Sequence, residues 1–176
     1  MENQTSASGD ARALASNIRM PAMNRERFSN LPERIEDRVL GTLRFSASLD
    51  AQDEYQATIT IDGLPVKFDL YTDPKGSLSP CIKRARQIVE RFESIKRKMH
   101  RYIERVVCTG YNEHLTSDEF PLTIDSVLAE LELKFVTTHP TPNATFWFEA
   151  GDLFDGHSLL LFMAERNTFV GHDTPG

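Results

Sequence analysis

From residue 81 to residue 106, eight apolar side chains recur in alternating steps of four and three: Cys81, Ala85, Ile88, Phe92, Ile95, Met99, Tyr102 and Val106. Only an α-helix brings that spacing onto one stripe, because about 3.6 residues make a turn. A helix with one apolar stripe gains most of its stability by burying it, so this stripe must meet another part of the chain or a second helix. Ser79-Pro80 marks the expected start: a serine hydroxyl at the N-cap accepts an orphan amide, and proline at the next position has none to offer. Gly110 marks the expected end, as the glycine that follows a helix in left-handed conformation. The spacing predicts one helix of about 30 residues, or two joined by a bend near 93–96.

The flanking segments supply what the stripe packs on. Residues 40–49 alternate Leu43, Phe45, Ala47 and Leu49 with polar positions, and residues 55–61 alternate Tyr55, Ala57, Ile59 and Ile61. Asp62-Gly63 is a strong two-residue hairpin signal, and Val66, Phe68 and Leu70 alternate beyond it. After the helix, Thr123 caps a short second helix whose buried side holds Ile124, Val127, Leu128 and Leu131. Residues 133–138, 145–149 and 157–163 read as strands, and 168–171 as a short edge strand. The coarse order β-β-β-α-α-β-β defines an α+β class: a mostly antiparallel sheet with one long amphipathic helix across a face. Ahead of it, Phe28, Leu31, Ile35 and Val39 have helical spacing, with Asn30 as N-cap and Pro32 confining any helix to the residues after it. Residues 1–22 read as a flexible tail with a helical turn at 11–18, leaving 23–176 as a single domain.

The chain has 176 residues and a net charge of −6, a length that suits one domain with its own core. Cys81 and Cys108 lie 27 residues apart on the expected helix, about 40 Å along its axis, too far for a disulfide. They read as free thiols in a reducing compartment. Residues 1–23 contain no apolar signal core and no run is apolar enough to span a bilayer, so a cytoplasmic location without a membrane partner is expected. The mild net charge conceals an uneven distribution. Residues 83–105 carry nine Lys/Arg against three Glu, whereas the chain from Tyr111 onward carries eleven acids against two bases. The basic helix reads as the solvated side of an amphipathic element; no aromatics interleave with its exposed bases, so nucleic acid is not an expected partner. The acidic C-terminal part suits a basic partner.

The densest constellation of reactive side chains is Glu149-Ala150-Gly151-Asp152-Leu153-Phe154-Asp155-Gly156-His157. Three carboxylates and an imidazole suit a divalent metal or acid–base work, but the spacing matches neither a closed zinc site nor a calcium loop. The plainer reading is a glycine-bent strand connection in which His157 meets a carbonyl or carboxylate. No nucleophile elbow, phosphate loop or dinucleotide glycine pattern occurs. His100, His114, His139 and His172 read as surface residues.

The aromatic strand TFWF, the pattern G-D-x-F-x-G-H and the apolar strand SLLLFM together resemble a family of small bacterial domains of unknown function. Phe146, Phe148, Gly151, Asp152, Phe154, Gly156 and His157 carry the likeness; Asp155 stands where a bulky aromatic is more usual. Some relatives are similar to immunity proteins of bacterial toxin systems. The resemblance implies a non-enzymatic protein without cofactor or metal that binds a cognate toxin. Combined with the charge pattern, it points to occlusion of the toxin through an acidic surface that includes Glu149, Asp152, Asp155 and His157. The alternatives are a small metal-binding domain or enzyme using Asp152, Asp155 and His157, and an adaptor that dimerises through the long helix.

Overall fold

Alternating strands on either side of a helical run build one eight-stranded sheet in the computed structural model, which describes residues 31–47, 53–116 and 120–175. The strands are β1 (Arg34–Asp37), β2 (Gly41–Ala47), β3 (Asp53–Ile61), β4 (Leu64–Tyr71), β5 (Glu132–Thr138), β6 (Ala144–Glu149), β7 (Leu159–Ala164) and β8 (Thr168–Asp173). They lie side by side in chain order, antiparallel throughout except for the parallel pair β4–β5. The helical run between those two strands provides the long crossover that a parallel pair needs. The N-terminal tail, the turn at 11–18, Asn30 and Leu49 lie outside the described residues.

The period-2 segments behave as their alternation requires. Leu43, Tyr55, Ala57, Val66, Phe68 and Leu70 are buried on one face, continued by Val136, Phe146, Phe148, Leu159, Leu161 and Met163. Asp62 and Gly63 both take positive φ, 52° and 82°, the two left-handed residues of a tight hairpin turn between β3 and β4. Four strands precede the helices, one more than expected. Four follow, at the four segments that read as strands, where the coarse order has only two. The extra first strand replaces the expected helix after Pro32. Ile35 sits opposite Leu43 in the β1–β2 register, so pairing with a long neighbouring strand overrides the helical spacing of Ile35 and Val39. The last strand runs to Asp173 rather than ending at Gly171.

The helical layer covers the apolar face. It comprises α1 (Ser79–Glu90), α2 (Phe92–Tyr102), a π-helical segment (Ile103–Cys108), α3 (Thr109–Asn112) and α4 (Ile124–Glu130). Cys81, Ala85, Ile88, Phe92, Ile95 and Met99 are buried against the sheet within the chain itself. Four details depart from the sequence reading. The N-cap is Leu78, one residue before Ser79, and makes no side-chain cap bond; its carbonyl accepts from Ile82 N at 3.0 Å. The bend falls at Arg91, whose φ of −116° and ψ of 18° separate α1 from α2, just ahead of 93–96. The buried stripe leaves the 3.5-residue period after Met99: Ile103 and Val107 are buried, Tyr102 is half-buried and Val106 is 41 % exposed. An i→i+5 turn takes up an extra residue and rotates the following face, which accounts for the exchange. Gly110 lies inside α3 rather than ending the run.

Thr123 caps α4 as expected. Its hydroxyl accepts from Ser126 N at 3.1 Å, while Thr123 N donates to Ser126 Oγ at 3.0 Å, a reciprocal capping box. Val127 is fully buried, with Ile124, Leu128 and Leu131 packed partly against the core. The opposite face of the sheet has no helix over it among the described residues. There Phe135 and Trp147 remain 36 % and 37 % exposed, in edge-to-face contact at 6.4 Å, with Lys67 Nζ 5.5 Å from the Phe135 ring centroid.

Candidate functional site

The sequence places its charged constellation immediately after β6, and local backbone geometry turns it outward. Along β6, Phe146 and Phe148 face the core while Trp147 and Glu149 face away. Ala150 is buried, and Gly151 then reverses the chain at a φ of 54°. A Cβ at this glycine would lie 2.6 Å from Glu130 Oε2, so the loop runs close beside the end of α4. A short 3-10 turn (Leu153–Gly156) follows, in which Phe154 and Asp155 are both left-handed, at φ 52° and 56°. Left-handed backbone costs an ordinary residue about 1–2 kcal/mol. Packing offsets that cost here: Leu153 and Phe154 lie against the core, and the Phe154 ring meets Tyr111 edge-to-face at 6.1 Å. Two backbone bonds close the loop, Leu153 N to Ala150 O at 2.9 Å and His157 N to Phe154 O at 3.0 Å.

The loop is therefore two-sided. Its apolar residues point into the protein, and Asp152, Asp155 and His157 are exposed. Among the described residues none of these three side chains has a hydrogen bond or ion pair; His157 does not meet the carbonyl or carboxylate expected for it. Glu149 differs, because Lys134 Nζ bridges it at 3.1 Å and Glu132 at 2.7 Å across the β5–β6 register. Both carboxylates hold the Lys134 ammonium above its usual pKa. Glu130, Glu132, Glu149, Asp152 and Asp155 thus gather at one end of β6 with Lys134 among them. Among the described residues, no group of three His, Cys, Asp or Glu side chains is placed to hold a metal ion.

Beside this end of the sheet lies a cavity of about 330 Å³ that the sequence reading missed. Val66, Phe92, Met99, Leu131, Leu133 and Phe148 line it, with His100 and the Lys96–Asp62 ion pair also on its wall. Four segments far apart in the chain contribute, so no local pattern announces it; only Phe148 belongs to the motif. His100 is half-buried rather than a free surface residue, and burial, with the nearby Lys96 charge, lowers its pKa. His139 is likewise half-buried, stacked on Tyr71 with ring centroids 5.5 Å apart, and burial lowers its pKa too.

Neither a curated protein nor a solved structure matches the chain. A family profile described as uncharacterized protein conserved in bacteria (DUF2262) matches residues 37–173, which takes in the sheet from the end of β1, the helical layer and the charged loop. With well over half its length inside that match, the chain belongs to this conserved bacterial family, DUF2262.

Proposed function

We propose that this chain is an immunity-type protein, which binds a basic partner protein, a cognate antibacterial toxin, and neutralises it by occlusion. The observation that carries the reading is the division of the loop after β6. Its apolar side chains anchor it to the core, while Asp152 and Asp155 are held out with no partner of their own among the described residues. A left-handed aspartate kept exposed by a packed phenylalanine is a rigid presentation of charge, and rigid presentation limits the entropy lost on binding. Carboxylates clustered at one end of the sheet attract a basic surface and speed its approach. The half-exposed Trp147 lies two residues before Glu149 on the helix-free face and supplies an aromatic anchor next to the acidic rim. The likeness of the G-D-x-F-x-G-H segment to relatives of immunity proteins supports the same reading. Such a role needs no catalytic centre or cofactor.

The test is co-expression with the product of the neighbouring gene, which should arrest growth when expressed alone. Growth should be restored by the natural chain and lost with Asp152→Lys plus Asp155→Asn, a variant whose far-ultraviolet spectrum and thermal midpoint remain those of the natural chain, since asparagine tolerates the left-handed backbone at 155. Failure of the natural chain to restore growth, or to bind the purified toxin, overturns the proposal.

A further inference from the structure

At the other end of β6 from the acidic loop lies a cleft of about 420 Å³. Its walls are α1, the 139–143 turn between β5 and β6, and the 164–167 turn between β7 and β8. Four cations line it, Lys83, Arg84, Arg91 and Arg166, against the single carboxylate of Glu165. Arg84 is only 6 % exposed, and the guanidinium is held by neutral acceptors alone: Nη1 donates to Asn167 Oδ1 at 2.7 Å and Nη2 to the Ala164 carbonyl at 2.9 Å. Its Nε is buried without a hydrogen-bond partner among the described residues. Glu165 acts on Arg84 as a favourable charge but makes no ion pair with it, and burial lowers the arginine's pKa.

A buried guanidinium with neutral acceptors and no directly paired carboxylate is stabilised further when an anion completes it. The nearby backbone is arranged around this group. Arg166 and Asn167 are both left-handed, at φ 63° and 57°, which sets the Asn167 amide on Arg84 while Arg166 stays on the cleft wall. Lys98 of α2 fixes the same turn by donating to the Arg166 carbonyl at 3.1 Å. The surplus of positive charge, three over Glu165, exceeds what one carboxylate would neutralise. It matches a multiply charged group whose oxygens accept from several directions, as phosphoryl oxygens do.

We infer that this cleft is a binding site for a small phosphoryl-bearing anion, with Arg84 as the buried charge at its wall and Lys83, Arg91 and Arg166 as the outer contacts. The acidic loop does not forbid it. The six residues of β6 span roughly 20 Å, about two Debye lengths at 0.1 M salt, so the two ends are electrostatically separate under those conditions.

The experiment is calorimetric titration of the full chain with pyrophosphate, inorganic phosphate and citrate in 0.1 M sodium chloride. One equivalent of pyrophosphate should bind, more tightly than phosphate or citrate. Lys83→Glu and Arg166→Asn, both at exposed positions, should each weaken it at least tenfold without moving the thermal midpoint of the unliganded protein; asparagine tolerates the left-handed backbone at 166. Arg101→Glu, on α2 outside the cleft, should leave binding unchanged. Absence of binding by all three anions overturns the site, as does an equal loss with Arg101→Glu, which would mean diffuse attraction to the basic helices. Preference for citrate overturns the phosphoryl assignment.

Discussion

Asp37, the last residue of β1, has both carboxylate oxygens engaged. Oδ1 accepts from the amides of Val39 and Leu40 at 2.9 and 3.0 Å, closing the turn into β2, and Oδ2 accepts from the Arg86 guanidinium of α1. The Arg86 bond, reinforced by the two amides, holds its pKa down from 3.8 to about 2. A depressed carboxylate pKa contributes stability that is fully present above the unfolded value and lost as pH falls through the folded one. Urea unfolding should therefore show a contribution from Asp37 that is constant above about pH 4 and fades toward pH 2. Asp37→Asn should cost about 1–3 kcal/mol at pH 7, because it removes the charge from a buried hydrogen-bonding site, and should flatten the pH dependence below pH 4. The two cysteines give a second prediction. Cys81 donates to the Tyr71 carbonyl at 2.8 Å, and burial pushes its thiol up to about 11; burial also raises Cys108. Neither should react with a disulfide reagent at pH 8 in the folded protein, and both should react in guanidinium; a fast-reacting thiol in the native state contradicts the burial. Two unbridged cysteines were legible from their separation on one helix. The Arg86–Asp37 contact was not, because its partners lie 49 residues apart and only the docking of α1 on the sheet brings them together.

The elements legible in the sequence are those whose signal is local. Asp62-Gly63 specifies its hairpin in two residues, since a turn with two left-handed positions accepts little else. Gly63→Ala should cost about 1–2 kcal/mol for forcing a Cβ into a φ of 82°, in open space with no clash to complicate the reading. The long helix was legible until its geometry changed. A 3.5-residue repeat extrapolated past Met99 selects Tyr102 and Val106, whereas the π-helical segment turns Ile103 and Val107 inward. Nothing in IERVVC marks an i→i+5 turn, because hydrophobic periodicity is indifferent between a face that continues and one that rotates. The two readings predict opposite mutational orders. Ile103→Ala should cost about 2–5 kcal/mol by opening a cavity in the core, while Val106→Ala should stay within about 0.5 kcal/mol. Thermal or urea midpoints of the two variants decide between them. The four-residue β1 was illegible for another reason: its burial alternates too weakly to outweigh the helical spacing, and only its register with β2 defines it.

Across the whole molecule, charge is sorted by the strand that carries the motif. One end of β6 meets the carboxylates of the loop and of α4, and the other meets the cationic cleft. The asymmetry itself was visible in the sequence. Its sorting onto two ends of one strand was not, since it requires the β5–β6 and β7–β8 turns to lie together beside α1. Composition also overstated the acidic surface, because Lys134 sits between Glu132 and Glu149 and neutralises part of it. That lysine provides the last test of the binding reading. If the acidic end steers a basic partner, removing the positive charge at 134 must strengthen the field rather than weaken the interaction. Lys134→Met keeps the aliphatic stem along the strand, and the two carboxylates it releases, Glu132 and Glu149, reach solvent, so the fold should tolerate it. Stopped-flow association, followed through the chain's single tryptophan, Trp147, should accelerate several-fold at low salt and converge on the natural rate above about 0.5 M, where the Debye length falls to a few ångströms. Asp152→Asn plus Asp155→Asn should shift the rate the other way with the same salt convergence. A Lys134→Met variant that associates more slowly at every salt concentration would mean that the lysine itself touches the partner, and steering by the carboxylates would have to be abandoned.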